Sequence, residues 1–243
     1  MKNKVKTLIT GLLNEFDLEF QSFEGFAFFE EQPIDIIVGT KDRVDYMIFA
    51  FIKHSFLNVV CEDIQIEIFT RLKLKIQKSE EPEFSAISRS IDKNSTLIIC
   101  SQVPPNTCEI ELNKTISSIE EDSYYYKKQV LSYSRLDESN IGELLAKNEG
   151  VLEECEKIVT DIEKYNSFIS GNSDSKYALV ALLYEKLPFL TLKIKSEDRL
   201  VLKDEILRSL SDKEVDDLAF YEDLYKTSTV LTGPASIILT GCR

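Results

Sequence analysis

Apolar residues recur along the first turns of the chain at Val5, Leu8, Ile9, Leu12, Leu13 and Phe16. Steps of three and four place them on one side of a helix, so residues 5–16 are expected to form an amphipathic helix with Gly11 as its weak point. "FEGFAFFE" (23–30) and "IDIIVG" (34–39, opened by Pro33) read as strands. "DYMIFAFI" (45–52) and "TLIIC" (96–100) are almost wholly apolar. Runs of that length suit strands covered on both faces. Between them, Ile64, Ile68, Phe69, Leu72 and Ile76 share one helical face, so strand, helix, strand predicts a crossover unit in a sheet. Residues 110–122 read as another helix.

The stretch "EDSYYYKKQVLSYS" (121–134) follows. As a strand it puts Tyr125, Leu131 and Tyr133 on one face and Tyr124, Tyr126 and Val130 on the other. Lys127 and Lys128 then fall mid-strand, as on an edge that must not pair with strangers. Two readings stay open. The stretch is a protected edge strand packed on a helix, or its tyrosines form a partner-binding surface, because tyrosine suits places dry at one end and wet at the other.

Beyond residue 136 the pattern turns helical. A short helix is expected over "DESNIGELLAKN". Val151, Cys155, Ile158, Ile162, Tyr165 and Ile169 then repeat at four, three, four, three, four, a heptad seam over residues 151–169. It is either a bundle helix or a helix docking on a partner's coiled coil. Residues 170–173 lead into "SKYALVALLYEKL", which Pro188 closes. Residues 190–194 are expected to form a short strand. Ser211 and Glu214 have capping-box spacing at the start of a last acidic helix. The expected class is α+β: an N-terminal α/β sheet domain over residues 1–135, an acidic helical bundle over 136–228, and a tail over 229–243.

Composition narrows the function. The chain has 243 residues and a formal net charge of −13. From Asp137 to Asp223 there are 21 acidic and 11 basic residues, so most of the excess lies in the helical half. Such a surface repels phosphate backbones and argues against a stand-alone nucleic-acid binder. The five cysteines are widely spaced with no CxxC pair, which points to reduced thiols in a cytoplasmic protein. No stretch approaches eighteen apolar residues, so no membrane span is expected.

The search for chemistry finds little. No Gly-Lys pair and no G-x-G-x-x-G occur, so no nucleotide loop is expected. His54 is the only histidine and cannot form a two-histidine zinc site. A metal-dependent nuclease wants an acid on one strand and acid-x-lysine on the next. Asp35 and Asp45 fall at strand positions, but "DYM" lacks the lysine and "FAFIK" lacks the acid. Arg71, Lys75 and Lys78 form a basic row on the helix after "DYMIFAFI", either its solvated side or a phosphate contact presented by a larger complex. No catalytic, cofactor or metal residues are assigned.

Several motifs together resemble one family. They are "DYMIFAFI" and its following helix, "DKNSTLIICSQV" (92–103), "IEEDSYYYKKQVLSYS" (119–134), and an acidic helical half with "KLPFLTL" (186–192). This resembles the small middle component of bacterial ABC-three-component systems, the Lamassu-type anti-phage defence operons. The matching positions are Lys93-Asn94-Ser95 before an apolar strand and Tyr125-Tyr126-Lys127-Lys128 before another, and the resemblance spans roughly residues 20–195. It implies a non-enzymatic adaptor between an SMC-like (Rad50-like) ABC ATPase and an effector, often a nuclease, with DNA contacted only through the complex. The candidate interface is Tyr124, Tyr125, Tyr126, Lys127, Lys128, Val151, Ile158, Ile162 and Tyr165. The alternatives are a degenerate metal-dependent nuclease and an acidic, antitoxin-like inhibitor of a basic partner.

Overall fold

A computed structural model describes residues 3–42, 44–78, 91, 94–147, 150–172 and 174–192, and then 208, 210, 211, 213, 214, 217 and 220. The chain divides into two compact units, Met1–Thr191 and Leu192–Arg243.

The first unit opens with α1 (Lys4–Glu15). Asn3 caps it, accepting hydrogen bonds from the Val5 and Lys6 backbone N–H groups. A meander follows: β1 (Glu19–Phe29), β2 (Gln32–Lys41) and β3 (Asp45–Phe51). A 3-10 turn (His54–Val59) and one π turn (Val60–Ile64) lead into α2 (Gln65–Lys78). The order then runs β4 (Ser95–Gln102), α3 (Glu109–Glu121), β5 (Lys127–Tyr133) and α4 (Arg135–Leu145). Three more helices complete the unit: α5 (Val151–Val159), α6 (Ile162–Ile169) and α7 (Ser175–Lys186). The molecule is α+β, as its pattern of apolar positions implies.

The strands form one five-stranded sheet in chain order, β1-β2-β3-β4-β5. β1, β2 and β3 are antiparallel, whereas β3, β4 and β5 are parallel. The change from tight turns to helical crossovers dictates this, since parallel neighbours need a long return path. Both faces are covered, which is why β3 and β4 are continuously apolar. On one face Ile36, Ile48, Leu97 and Val130 pack with Ile64, Ile68 and Leu72 of the crossover. On the other, Ile37, Phe49, Ile98 and Leu131 pack with Leu8, Leu12 and Leu13 of α1 and Leu179 and Leu183 of α7. Gly39 lets α1 approach closely here: a Cβ would lie 3.3 Å from Leu13 Cδ2, so that side chain would have to give by a few tenths of an ångström. β1 bulges between Phe23 and Ala27, where Gly25 has φ +55°.

The helical half is fastened to the sheet. Gly150 has no side chain to cap α5, and the carboxylate of Glu15, at the end of α1, does so instead. It accepts from the Val151 and Leu152 N–H groups at 2.8 Å each. The sheet and α4–α7 belong to the one unit Met1–Thr191. The strand expected over residues 190–194 does not form where it is described: 190–192 lie outside any strand, and 193–194 are outside the described residues.

In the second unit, Glu214 accepts hydrogen bonds from the Ser211 N–H at 2.8 Å and its hydroxyl at 2.7 Å, the return half of a capping box. The tail 229–243 lies outside the described residues.

Candidate partner interface

The tyrosines do not form the strand itself. β5 begins only at Lys127, and residues 122–126 make a bend between α3 and β5. Its shape is set from inside by Lys128. That side chain is 1 % exposed, and its ammonium donates to four oxygens. They are Asp122 Oδ1 (2.5 Å) and the carbonyls of Asp122 (3.0 Å), Tyr124 (2.7 Å) and Tyr126 (3.1 Å). The Tyr124 N–H donates to Asp122 Oδ1 at 3.1 Å. Burial pulls the Asp122 pKa upward, but the bond from Lys128 and that from the Tyr124 N–H outweigh it, leaving the carboxyl below its ordinary range.

The fold thus separates the two lysines. Lys127 is exposed and Lys128 is an internal brace. The tyrosines separate likewise. Tyr126 is buried, with its ring 5.8 Å from that of Phe69 on α2. Tyr125 sits at φ +62°, and its ring lies 4.8 Å from the same Phe69 while the residue stays 45 % exposed. A β-region residue type held at positive φ is over-determined by its neighbours. Tyr124 is 70 % exposed. Beside the bend opens a cleft of about 620 Å³, lined among others by Tyr125, Lys127, Phe16 and Phe189. The bend therefore presents two tyrosine rings and one ammonium outward, anchored by buried Tyr126 and Lys128.

The seam expected as one helix is two. α5 ends at Val159, and Asp161 caps α6 by accepting from the Glu163 and Lys164 N–H groups. Cys155 and Ile158 are buried with Leu144, Tyr177 and Val180, and Val151 packs against the same cluster. They form internal structure. Ile162 and Tyr165 are 66 % and 46 % exposed, and Phe168 and Ile169 are also exposed. No residue of α6 is buried.

The basic row does not present three open cations. Arg71 pairs with Glu67, donates to the Phe26 carbonyl at 3.3 Å and lies over the Phe28 ring. Lys75 is exposed beside a cleft of about 730 Å³ between α2 and the β1 bulge. The side chain of Lys78, the last residue of α2, is outside the described residues.

The nuclease candidates do not meet. In the β2–β3 ladder Asp45 opposes Lys41, while Asp35 opposes Phe51. Six residue steps part the two acids along the strands, about 20 Å. His54 opens the 3-10 turn, and its Nδ1 is buried without a hydrogen-bond partner among the described residues. Burial raises the pKa of Cys61, and that of Cys155 to about 12, so neither is a ready thiolate at neutral pH.

Residues 56–156 match the model of the family described as ABC-three component (ABC-3C) system Middle Component 1. The matched segment runs from the 3-10 turn through α2, β4, α3 and β5 into α5, and so includes the whole tyrosine bend. This segment is similar to a middle component of an ABC-three-component system. No curated protein and no solved structure matches the chain. No described helix is long and apolar enough to cross a membrane.

Proposed function

We propose that this chain is the middle subunit of a bacterial ABC-three-component defence assembly of the Lamassu type. It acts as a cytoplasmic, non-catalytic adaptor between an SMC-like ABC ATPase and an effector such as a nuclease. DNA is reached only through those companions. The observation that carries this reading is the family match over residues 56–156, which coincides with the crossover and bend that expose Tyr124, Tyr125 and Lys127. Aromatic rings beside a cation, on a rigid support and next to a cleft, are the makings of an interface centre. The exposed apolar face of α6 offers a second surface, running from Ile162 through Tyr165 to Ile169. Two separate surfaces are what a bridge between two partners requires.

The test is co-expression of the chain with the products of its neighbouring genes, followed by purification through a tag on the chain. The reading requires an ABC ATPase in the purified complex. A chain that purifies alone, with both neighbours soluble, refutes it.

A further inference from the structure

Side chains alternate along a strand. Ile37, Phe49, Ile98 and Leu131 belong to the core on the face that α1 and α7 cover. By the same alternation Lys41 of β2, Asp45 of β3, Thr96 of β4 and Lys127 of β5 point to that face, at the ends of their strands. All four line the cleft of about 620 Å³ beside the tyrosine bend, a size within the range of about 300–1,000 Å³ usual for binding sites. Both covering helices end beside this strip, α1 at Glu15 and α7 at Lys186. What they leave at its back is apolar: the ring of Phe16, after α1, meets that of Phe189, after α7, edge to face at 5.4 Å. Tyr125 closes the side formed by the bend.

The charges of the strip are unsatisfied within the chain. Lys41 and Lys127 are exposed, and among the described residues neither ammonium has a hydrogen bond or an ion pair. Asp45 stands opposite Lys41 in the β2–β3 ladder without pairing with it. Lys41, Lys127 and Asp45 are the charged residues of the lining, so the strip is net positive in a chain whose formal charge is −13. The two lysines stand at opposite ends of it. From β2 to β5 there are three strand intervals, and Lys41 lies two residues beyond the row that contains Lys127. At about 4.8 Å per interval and about 3.3 Å per residue, their Cα atoms are about 15 Å apart, which an extended chain covers in four or five residues.

We propose that this strip is a docking groove for an extended acidic segment of a partner protein. Two carboxylates about four residues apart meet Lys41 and Lys127, and an apolar side chain between them packs on Phe16, Phe189 and Tyr125. The proposal rests on the subunit reading for the existence of a partner and adds the chemistry that this partner presents. Charge complementarity selects the segment and fixes its register, and the rings supply the contact area. A nucleic acid is the poorer fit, because its phosphates would meet the acidic surface beyond the strip as well.

The test uses the full chain, tagged and co-expressed with the products of its neighbouring genes, with p-benzoyl-phenylalanine in place of Tyr125 as a photo-cross-linker. Illumination should join it to a partner segment with Asp or Glu on both sides of an apolar residue. That segment, made as a fluorescein-labelled peptide, should bind the wild-type chain, and should bind about tenfold more weakly after Lys41→Glu or Lys127→Glu. Asp45→Asn, which removes the one opposing charge, should tighten binding. All three positions are exposed, and matching unfolding curves confirm that the variants are folded. A complex that assembles but cross-links through Tyr125 to a basic segment, or to none, overturns the proposal and leaves the subunit reading standing. So does a peptide that binds the wild type and both lysine variants alike. A labelled single-stranded DNA oligonucleotide that the wild type binds and the same lysine variants release also overturns it. A chain that assembles with neither neighbour refutes the subunit reading, and the proposal falls with it.

Discussion

Lys128 is a charged side chain spent wholly on its own chain. Removing one partner of a buried, hydrogen-bonded charge costs about 3–5 kcal/mol, because the other groups stay buried without it. Lys128→Met should therefore lower stability by about that amount in urea unfolding. Lys127→Glu should change stability by less than about 0.5 kcal/mol, being an exposed substitution, and should act on assembly instead. Asp122 gives the same brace a pH signature. Its folded pKa lies below the unfolded value, so its contribution is fully present above the ordinary carboxylate range and is lost as pH falls through the folded value. Asp122→Asn should be less stable than wild type at neutral pH, and the two should converge in acid when urea midpoints are compared across a pH series. The sequence shows the tyrosines and paired lysines as unusual. It does not show which lysine faces inward, because adjacent strand residues point to opposite faces and both faces of β5 carry apolar neighbours. Only the bend, with Tyr125 at positive φ, decides it.

At the scale of elements, the heptad seam over residues 151–169 divides at Thr160-Asp161. The first half is core and the second is surface. Ile158→Ala should cost about 2–4 kcal/mol as a core truncation. Ile162→Ser with Ile169→Ser should leave thermal unfolding nearly unchanged while weakening a complex that uses α6. Equal loss of stability in both would show that α6 is core as well. Periodicity alone could not find the break, since a helix pair can carry one apolar repeat through a short turn. The local signal was Asp161, an N-cap residue whose side chain accepts from two backbone N–H groups of α6. Elements with long, one-sided or fully apolar patterns were legible: α1, β2, β3, the crossover helix α2, and β4. The start of β5 was not, because β-prone tyrosines fill the bend before it. The aspartates were legible as strand residues, but their separation needed the register of β2 on β3, which no spacing within one strand reveals.

For the whole molecule, the acidic balance and the covered sheet fit a protein that works by contact. The formal net charge of −13 repels phosphate backbones on average. The mixed sheet supports two projecting surfaces, the tyrosine bend and α6, from separate parts of one compact unit. The composition turns acidic and helical at about residue 136. Composition cannot show that α1 and α7 share the same sheet face, or that Glu15 caps α5 across 136 residues of chain.

The central claim is that the chain's exposed surface recruits an ABC ATPase. The most direct measurement is quantitative co-purification of that ATPase with tagged wild-type chain and with a Tyr124→Ala, Tyr125→Ala, Lys127→Glu variant whose unfolding curve matches wild type. The wild type should retain the ATPase, and the variant should lose most of it. Equal retention by the two would contradict the assigned surface, and failure of the wild type to retain any ATPase would contradict the account as a whole.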